Sequence, residues 1–189
     1  MSRYWRIAAF SSALALLGAC ARPPGASLPD LYAVPDFTLT AQDGREFLST
    51  RELKGKVWVA QFIFTTCTGP CPRMTTLMSR IQEATASMPE VKLVSFTVDP
   101  ANDTPPALAD YGRRYKADFT RWSLLTGERS ALHFLKREAF KLGDVDAAMN
   151  HSTRMILIDR NMSVRAFPES DDPRAVEKVV ADIKSLLAE

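Results

Sequence analysis

Cys67 and Cys71, two cysteines separated by three residues, carry the most distinctive chemistry in this chain. They lie in the segment Thr65-Thr66-Cys67-Thr68-Gly69-Pro70-Cys71-Pro72-Arg73-Met74, and the chain has one further cysteine, Cys20. A pair of thiols can form a disulfide, exchange disulfides with a partner, or bind a soft metal ion such as Cu(I) or Zn(II). Alternatively, both are small buried hydrophobic residues, but packing alone is a poor explanation for two cysteines this close together.

The spacing of the two cysteines is compatible with both a disulfide and a metal site. In a regular helix, residues four apart share a face with their Cβ atoms about 5–6 Å apart, whereas a disulfide needs about 3.8 Å. Gly69, Pro70 and Pro72 disfavour a helical Cys67. The loop that they predict can either close the sulfurs into a disulfide or hold them around one metal ion.

The elements on either side position this pair. Residues 57–64 form a nearly unbroken apolar run, typical of a central strand buried on both faces. Apolar residues then recur at helical spacing from Met74 to Ile81. The cysteines therefore fall at the carboxyl end of a strand, where open α/β sheets bind ligands. The positive end of the following helix is expected to favour thiolate over thiol.

The other segments alternate between strand and helix signals. Helices are predicted after Thr104-Pro105, over residues 128–142, and after Asp172-Pro173. A hairpin is predicted over residues 35–47, and strands over residues 91–98, 122–125, 155–158 and 164–167. This order predicts one α/β domain over residues 35–189, with a central sheet flanked by helices and an N-terminal hairpin.

The first 34 residues predict export rather than folded structure. Arg3 and Arg6 precede an apolar stretch over residues 7–17 that is too short to span a bilayer comfortably. The stretch ends in Leu17-Gly18-Ala19-Cys20, which resembles a bacterial lipoprotein box. Residues 1–20 are thus predicted to be a lipoprotein signal peptide with Cys20 lipidated; the alternative is a plain signal peptide cut near Ala19. Residues 21–34 are predicted to be a flexible tether, with the domain membrane-anchored and facing the periplasm.

Composition excludes several classes of protein. The chain has 189 residues, 46% hydrophobic and 24% charged, which is a globular balance and not that of a disordered protein. Without Arg3 and Arg6, its basic residues equal the 22 acidic ones in number. A neutral mature protein argues against nucleic-acid binding. Together with the lack of a second apolar span and the single lipoprotein box, this charge balance predicts a monomer.

Five motifs, taken in order, resemble the Sco/SenC family, and the resemblance runs from about Pro35 to the C-terminus. The motifs are Cys67-Thr68-Gly69-Pro70-Cys71-Pro72, Phe96-Thr97-Val98-Asp99-Pro100, Asp103-Thr104-Pro105, Trp122-Ser123-Leu124-Leu125-Thr126-Gly127 and Asn150-His151-Ser152. The resemblance implies a thioredoxin-like fold. It also implies a metallochaperone that delivers copper to the copper centre of cytochrome c oxidase, with the oxidase's copper-binding subunit or another copper chaperone as its partner.

The resemblance also assigns a metal site. It implies that Cys67, Cys71 and His151 bind copper, as Cu(I) and also Cu(II), and that Asp99 lies near the metal without binding it. His151 is in a polar segment before a predicted strand, whereas His133 lies inside a predicted helix and is expected to be structural or on the surface. The chain departs from the family at two places. Asn150 stands where some members carry Asp, and residues 165–168 differ from the family's usual sequence, which predicts a different rim or docking surface for a partner.

The main alternative function is a thiol–disulfide oxidoreductase that reduces the cysteines of a copper-binding partner through Cys67 and Cys71. Ordinary thioredoxin-fold reductases have a proline facing the active site, but no proline lies between Gly143 and Ile158. This favours metal binding over an enzyme. The residues around the cysteines do not match a peroxidase motif. A structural zinc site usually has four ligands, and the sequence offers only three.

Overall fold

A computed structural model describes residues 27–143 and 154–189. Its strands are β1 Tyr32–Ala33, β2 Thr38–Ala41, β3 Glu46–Leu48, β4 Val57–Ile63, β5 Val91–Thr97, β6 Trp122–Thr126, β7 Ile156–Ile158 and β8 Ser163–Ala166. Its helices are α1 Ser49–Glu52, α2 Pro70–Ala84, α3 Pro105–Arg114, α4 Arg129–Phe134 and α5 Ala175–Ala188, with a π-helix at Leu135–Ala139. The predicted hairpin, strands and helices are all found, with shifted ends.

The strands form one sheet in the order β1-β8-β7-β4-β5-β6-β2-β3. β4, β5 and β6 are parallel, and the other pairs are antiparallel. Every residue of β4 is buried. Such burial requires a covering layer on each face of the central strand.

Side chains alternate between the two faces of β4. Gln61 bonds to Thr75 of α2 on one face. Trp58 and Phe62 pack against Phe140, directly after the π-helix, on the other. The prediction of helices on both faces is thereby confirmed.

The helix predicted over residues 128–142 changes its winding midway. It is α-helical to Phe134 and then becomes a π-helix, in which the Phe140 N–H donates to the Leu135 carbonyl at 2.8 Å. Periodicity does not distinguish the two because a π-turn inserts a single residue. No helix in the described ranges is both apolar enough and long enough to cross a membrane.

Arg165 is the centre of a buried cluster that holds the start of the domain. Its guanidinium donates to Asp159 Oδ2 at 2.9 Å, to both carboxylate oxygens of Glu189, and to the carbonyls of Leu28 and Pro29. All five of its N–H donors are thus used. We call residues 28–34 the strap, because their backbone runs along β8.

The strap corrects two predictions. Leu28 and Val34 are buried and β1 pairs with β8, so residues 28–34 are folded and not part of a flexible tether. Arg165 is 8% exposed and faces inward, so the predicted rim is reduced to residues 166–168, which are partly exposed. Neither fact is visible in local sequence, because the strap and Arg165 are more than 130 residues apart.

Replacing Arg165 by leucine is expected to lower the free energy of unfolding by about 3 kcal/mol, because removing one partner leaves Asp159 buried without its counter-charge. The matched control is Arg154→Leu, which breaks the exposed pair with Glu169 and should change stability by less than about 1 kcal/mol. Urea unfolding of both variants measures the difference. Equal midpoints for the two variants would contradict the role of the cluster.

Candidate metal centre

The two cysteines differ in their backbone setting. The chain leaves β4 at Ile63 and enters α2 at Pro70. Cys67 lies in the intervening loop, where its N–H donates to the Phe64 carbonyl at 3.2 Å. Cys71 is the second residue of α2. Proline suits the first helical turn because it lacks an N–H that would otherwise be unpaired, so Pro70 fixes the start of the helix and leaves Cys67 outside it, as predicted.

The two cysteines also differ in exposure. Cys67 is half-buried, Cys71 is fully buried, and both are free thiols. The Cys67 side chain raises the pKa of the Cys71 thiol, so the two side chains lie close enough to interact. The structure therefore pairs one accessible sulfur with one buried sulfur.

Burial raises the pKa of the Cys71 thiol to about 12, and its interaction with the Cys67 side chain acts in the same direction. Backbone hydrogen bonds from Phe64 and Cys71 oppose this shift but are weaker in effect. The prediction that the helix end favours thiolate is therefore wrong for Cys71, because desolvation of the charged form outweighs it. A metal ion binding here must displace the Cys71 proton.

Asp103 is the acidic residue most closely tied to the cysteine loop. It is fully buried, and its carboxylate accepts from the Thr65 N–H at 3.1 Å, the Thr65 hydroxyl at 2.5 Å and the Thr97 hydroxyl at 2.5 Å. In the sequence, its motif Asp103-Thr104-Pro105 was used as a helix start and as one of the five family motifs, and the Asp103 carboxylate was given no role, although an acidic residue between the end of a strand and a helix N-cap was a usable signal. Asp103 joins the loops after β4 and β5.

Asp99 lies in the same loop as Asp103. It is partly buried, its N–H donates to the Thr97 hydroxyl at 2.9 Å, and its carboxylate accepts from the Asn102 amide at 2.7 Å. The Asp103 N–H in turn donates to the Asp99 carbonyl at 2.9 Å. The predicted place of Asp99 beside a metal remains a prediction.

Only one of the two histidines, His133, lies within the described residues. His133 is exposed on α4, as expected of a surface residue. His151 lies outside the described residues, as does Cys20. Within residues 27–143 and 154–189, no group of three or more His, Cys, Asp or Glu side chains could hold a metal ion. The described part of the chain thus supplies two of the three predicted ligands.

A buried polar network lies one helical turn beyond Cys71. The Thr75 hydroxyl bonds to the Tyr111 hydroxyl at 2.8 Å and to the Gln61 amide at 3.3 Å. That amide also donates to the Ser95 hydroxyl at 3.0 Å. Burial raises the pKa of Tyr111. Linked hydrogen bonds of this kind stiffen a core, so the helix that carries Cys71 has a rigid support.

A sequence model described as SCO1/SenC matches residues 27–188. The SCO1 protein homolog of Bacillus subtilis (strain 168) is 34% identical over 161 residues, covering 82% of each chain. The solved structure of BsSco, described as having a disulfide switch and as a member of the Sco family of cytochrome c oxidase assembly proteins, is 31% identical, with a TM-score of 0.76 over 86% of this chain and 98% of that chain.

A more distant structure is Bradyrhizobium japonicum ScoI with copper bound, at 23% identity and a TM-score of 0.68, covering 82% of this chain and 99% of that one. At this identity the similarity concerns the fold alone. Together with the sheet described above, these similarities confirm a thioredoxin-like α/β fold.

Proposed function

The chain belongs to the SCO1/SenC family, and on this basis we propose that it is a metallochaperone that binds copper and delivers it to the copper centre of cytochrome c oxidase. One observation carries the proposal: two free thiols, Cys67 and Cys71, follow the carboxyl end of the central strand, close enough that Cys67 raises the pKa of Cys71. Two soft sulfur ligands suit Cu(I) better than they suit the harder metals.

The difference in exposure between the sulfurs supports delivery rather than storage. Cys71 is buried and fixed on α2, so it provides a stable ligand, whereas Cys67 is half-buried and can be approached by a partner. With His151 as third ligand, the copper retains an open position that a ligand of the acceptor can enter. The proposed acceptor is the copper-binding subunit of the oxidase or another copper chaperone.

We also propose the location predicted from the first residues. Residues 1–20 act as a lipoprotein signal peptide, Cys20 carries the lipid, and the chain from Ala21 to the strap links the anchor to a monomeric domain on the periplasmic side. The support is the apolar stretch over residues 7–17, followed by Leu17-Gly18-Ala19-Cys20.

A second candidate function is reduction of a partner's disulfide, favoured by the same difference between an accessible and a buried thiol. The Cys67 thiolate attacks one sulfur of the partner's disulfide, and the partner's other sulfur leaves as a thiolate and takes up a proton. Cys71 then loses its proton and attacks Cys67, closing their disulfide and releasing the partner's second thiol. The pair is oxidised by two electrons, and the partner is reduced by two. BsSco, which is similar, is described as having a disulfide switch.

Copper titration of the domain lacking residues 1–20, in reduced and oxidised forms, tests the proposed function. The reduced form is expected to bind one equivalent of Cu(I), and the Cys67–Cys71 disulfide form is expected to lose that binding because it has no thiolate to offer. Equally tight binding by both forms would place the copper elsewhere. A reduced protein that binds no copper but reduces a model disulfide would establish the second function instead.

A further inference from the structure

We propose that Asp103 is a positioning residue of the dithiol site: it holds the Cys67 loop against the loop after β5 and so sets how the two sulfurs face each other. The inference rests on the function proposed above for its copper readout. The geometry that carries it is independent of any metal.

The first step is the pair of hydrogen bonds that fix Thr65. One carboxylate oxygen of Asp103 accepts both the Thr65 N–H, at 3.1 Å, and the Thr65 hydroxyl, at 2.5 Å. The backbone and the side chain of Thr65 are therefore both fixed by a residue 38 positions away. Hydrogen bonds to an ionised acceptor are among the stronger ones in proteins.

The second step is that Thr65 and Cys67 belong to the same turn, so fixing Thr65 also restrains Cys67. The Cys67 N–H donates to the Phe64 carbonyl, so residues 64–67 form a single turn with Thr65 inside it. Beyond the turn, Thr68 and Gly69 are exposed before Pro70 starts α2. Cys71 is held by α2, so the separation of the two sulfurs depends on where the turn is held. Asp103 holds it.

The third step concerns the other loop. The second carboxylate oxygen of Asp103 accepts from the Thr97 hydroxyl, which itself accepts from the Asp99 N–H. A carboxylate suits this place because it only accepts hydrogen bonds and all its neighbours here donate. Burying it costs free energy that those hydrogen bonds offset. The main contribution of Asp103 is therefore to position the two loops rather than to stabilise the fold.

Asp103→Asn and Thr65→Val, alone and together, test the proposal. Asparagine keeps the shape but turns an N–H group toward one of the donors. Valine removes the Thr65 hydroxyl and leaves the buried carboxylate in place, which keeps the test usable if Asp103→Asn unfolds. The matched control is Gln82→Ala, because Gln82 also joins α2 to a loop, through Lys116 and Asp118, but at the end of α2 far from Cys71.

Two readouts separate positioning from stability. The first is the Cu(II)–thiolate absorption, with the Cu(I) affinity measured beside it. The second, taken without metal, is the midpoint potential of the Cys67–Cys71 couple. We expect the Asp103 variant to lose about tenfold in Cu(I) affinity. Disulfide closure should also weaken about tenfold, a rise of about 30 mV in potential. The double variant should lose little more than the single ones, since both act through one contact.

The proposal is overturned if Asp103→Asn and Thr65→Val lose stability as Gln82→Ala does but keep the wild-type absorption and potential. It is equally overturned if Gln82→Ala moves the potential as far as they do. If the wild-type protein binds no copper, the metallochaperone function fails, and the potential alone still decides the role of Asp103.

Discussion

Replacing either Cys67 or Cys71 by serine is expected to lower the Cu(I) affinity of the reduced protein by more than about 100-fold. Losing a residue that only hydrogen-bonds to a metal ligand costs up to about 100-fold, and losing the ligand itself should cost more. A serine hydroxyl is a hard, protonated oxygen and a poor substitute for thiolate. Competition against a chromogenic Cu(I) chelator measures the loss. Burial keeps a proton on Cys71, with a pKa of about 12. Because Cu(I) binding releases that proton, the Cu(I) affinity of the wild-type protein should rise about tenfold for each pH unit.

The two serine substitutions serve as controls for each other. Cys71 is fully buried and Cys67 is half-buried, so only Cys71→Ser places a new hydroxyl in the core. A large loss of affinity in Cys67→Ser, with stability close to wild type, identifies loss of a ligand rather than unfolding. Retention of one equivalent at wild-type affinity by either variant would mean that the dithiol is not the copper site.

The second large effect is expected from His151→Ala. If His151 is the third ligand, its loss should lower Cu(II) affinity by about tenfold or more and abolish the wild-type Cu(II)–thiolate absorption, because Cu(II) prefers a nitrogen ligand beside sulfur. Cu(I) tolerates two sulfur ligands alone and should be affected less. One titration per oxidation state, followed by absorption spectroscopy, measures both effects.

His133→Ala is the matched control, because it removes the other histidine of the chain from an exposed position on α4. It should leave both titrations unchanged. Identical behaviour of the two variants would remove His151 from the copper site and favour the oxidoreductase. Normal copper binding by His151→Ala, combined with failed oxidase assembly, would instead assign His151 to transfer.

Local signals predicted much of the fold. The apolar run that became β4 is long enough and uniform enough to specify a strand buried on both faces. Thr104 followed by Pro105 marked the start of α3, where the Thr104 hydroxyl accepts from the Ala107 N–H. The loop position of Cys67 also followed from its neighbours, because glycine and proline act on the backbone within one turn.

Features that depend on distant contacts could not be predicted. The strap contains Pro29 and lacks apolar periodicity, so it resembles a linker until Arg165 binds its carbonyls. The protonated state of Cys71 depends on burial by the assembled core, which the helix-end argument does not include. Asp103 and Thr65 are likewise far apart in the chain, and only the neighbouring parallel strands β4 and β5 bring their loops together.

The strap also determines where a mechanical load enters the domain. Tension on the chain ahead of Leu28 falls first on Arg165 and its partner Asp159, which directly follows β7. In the antiparallel pairing of β7 with β4, Ile158 lies opposite Trp58, near the amino end of β4, whereas Cys67 follows the carboxyl end. If the proposed lipid anchor pulls on the strap, the load is therefore applied near the amino end of the central strand, the end opposite the two cysteines.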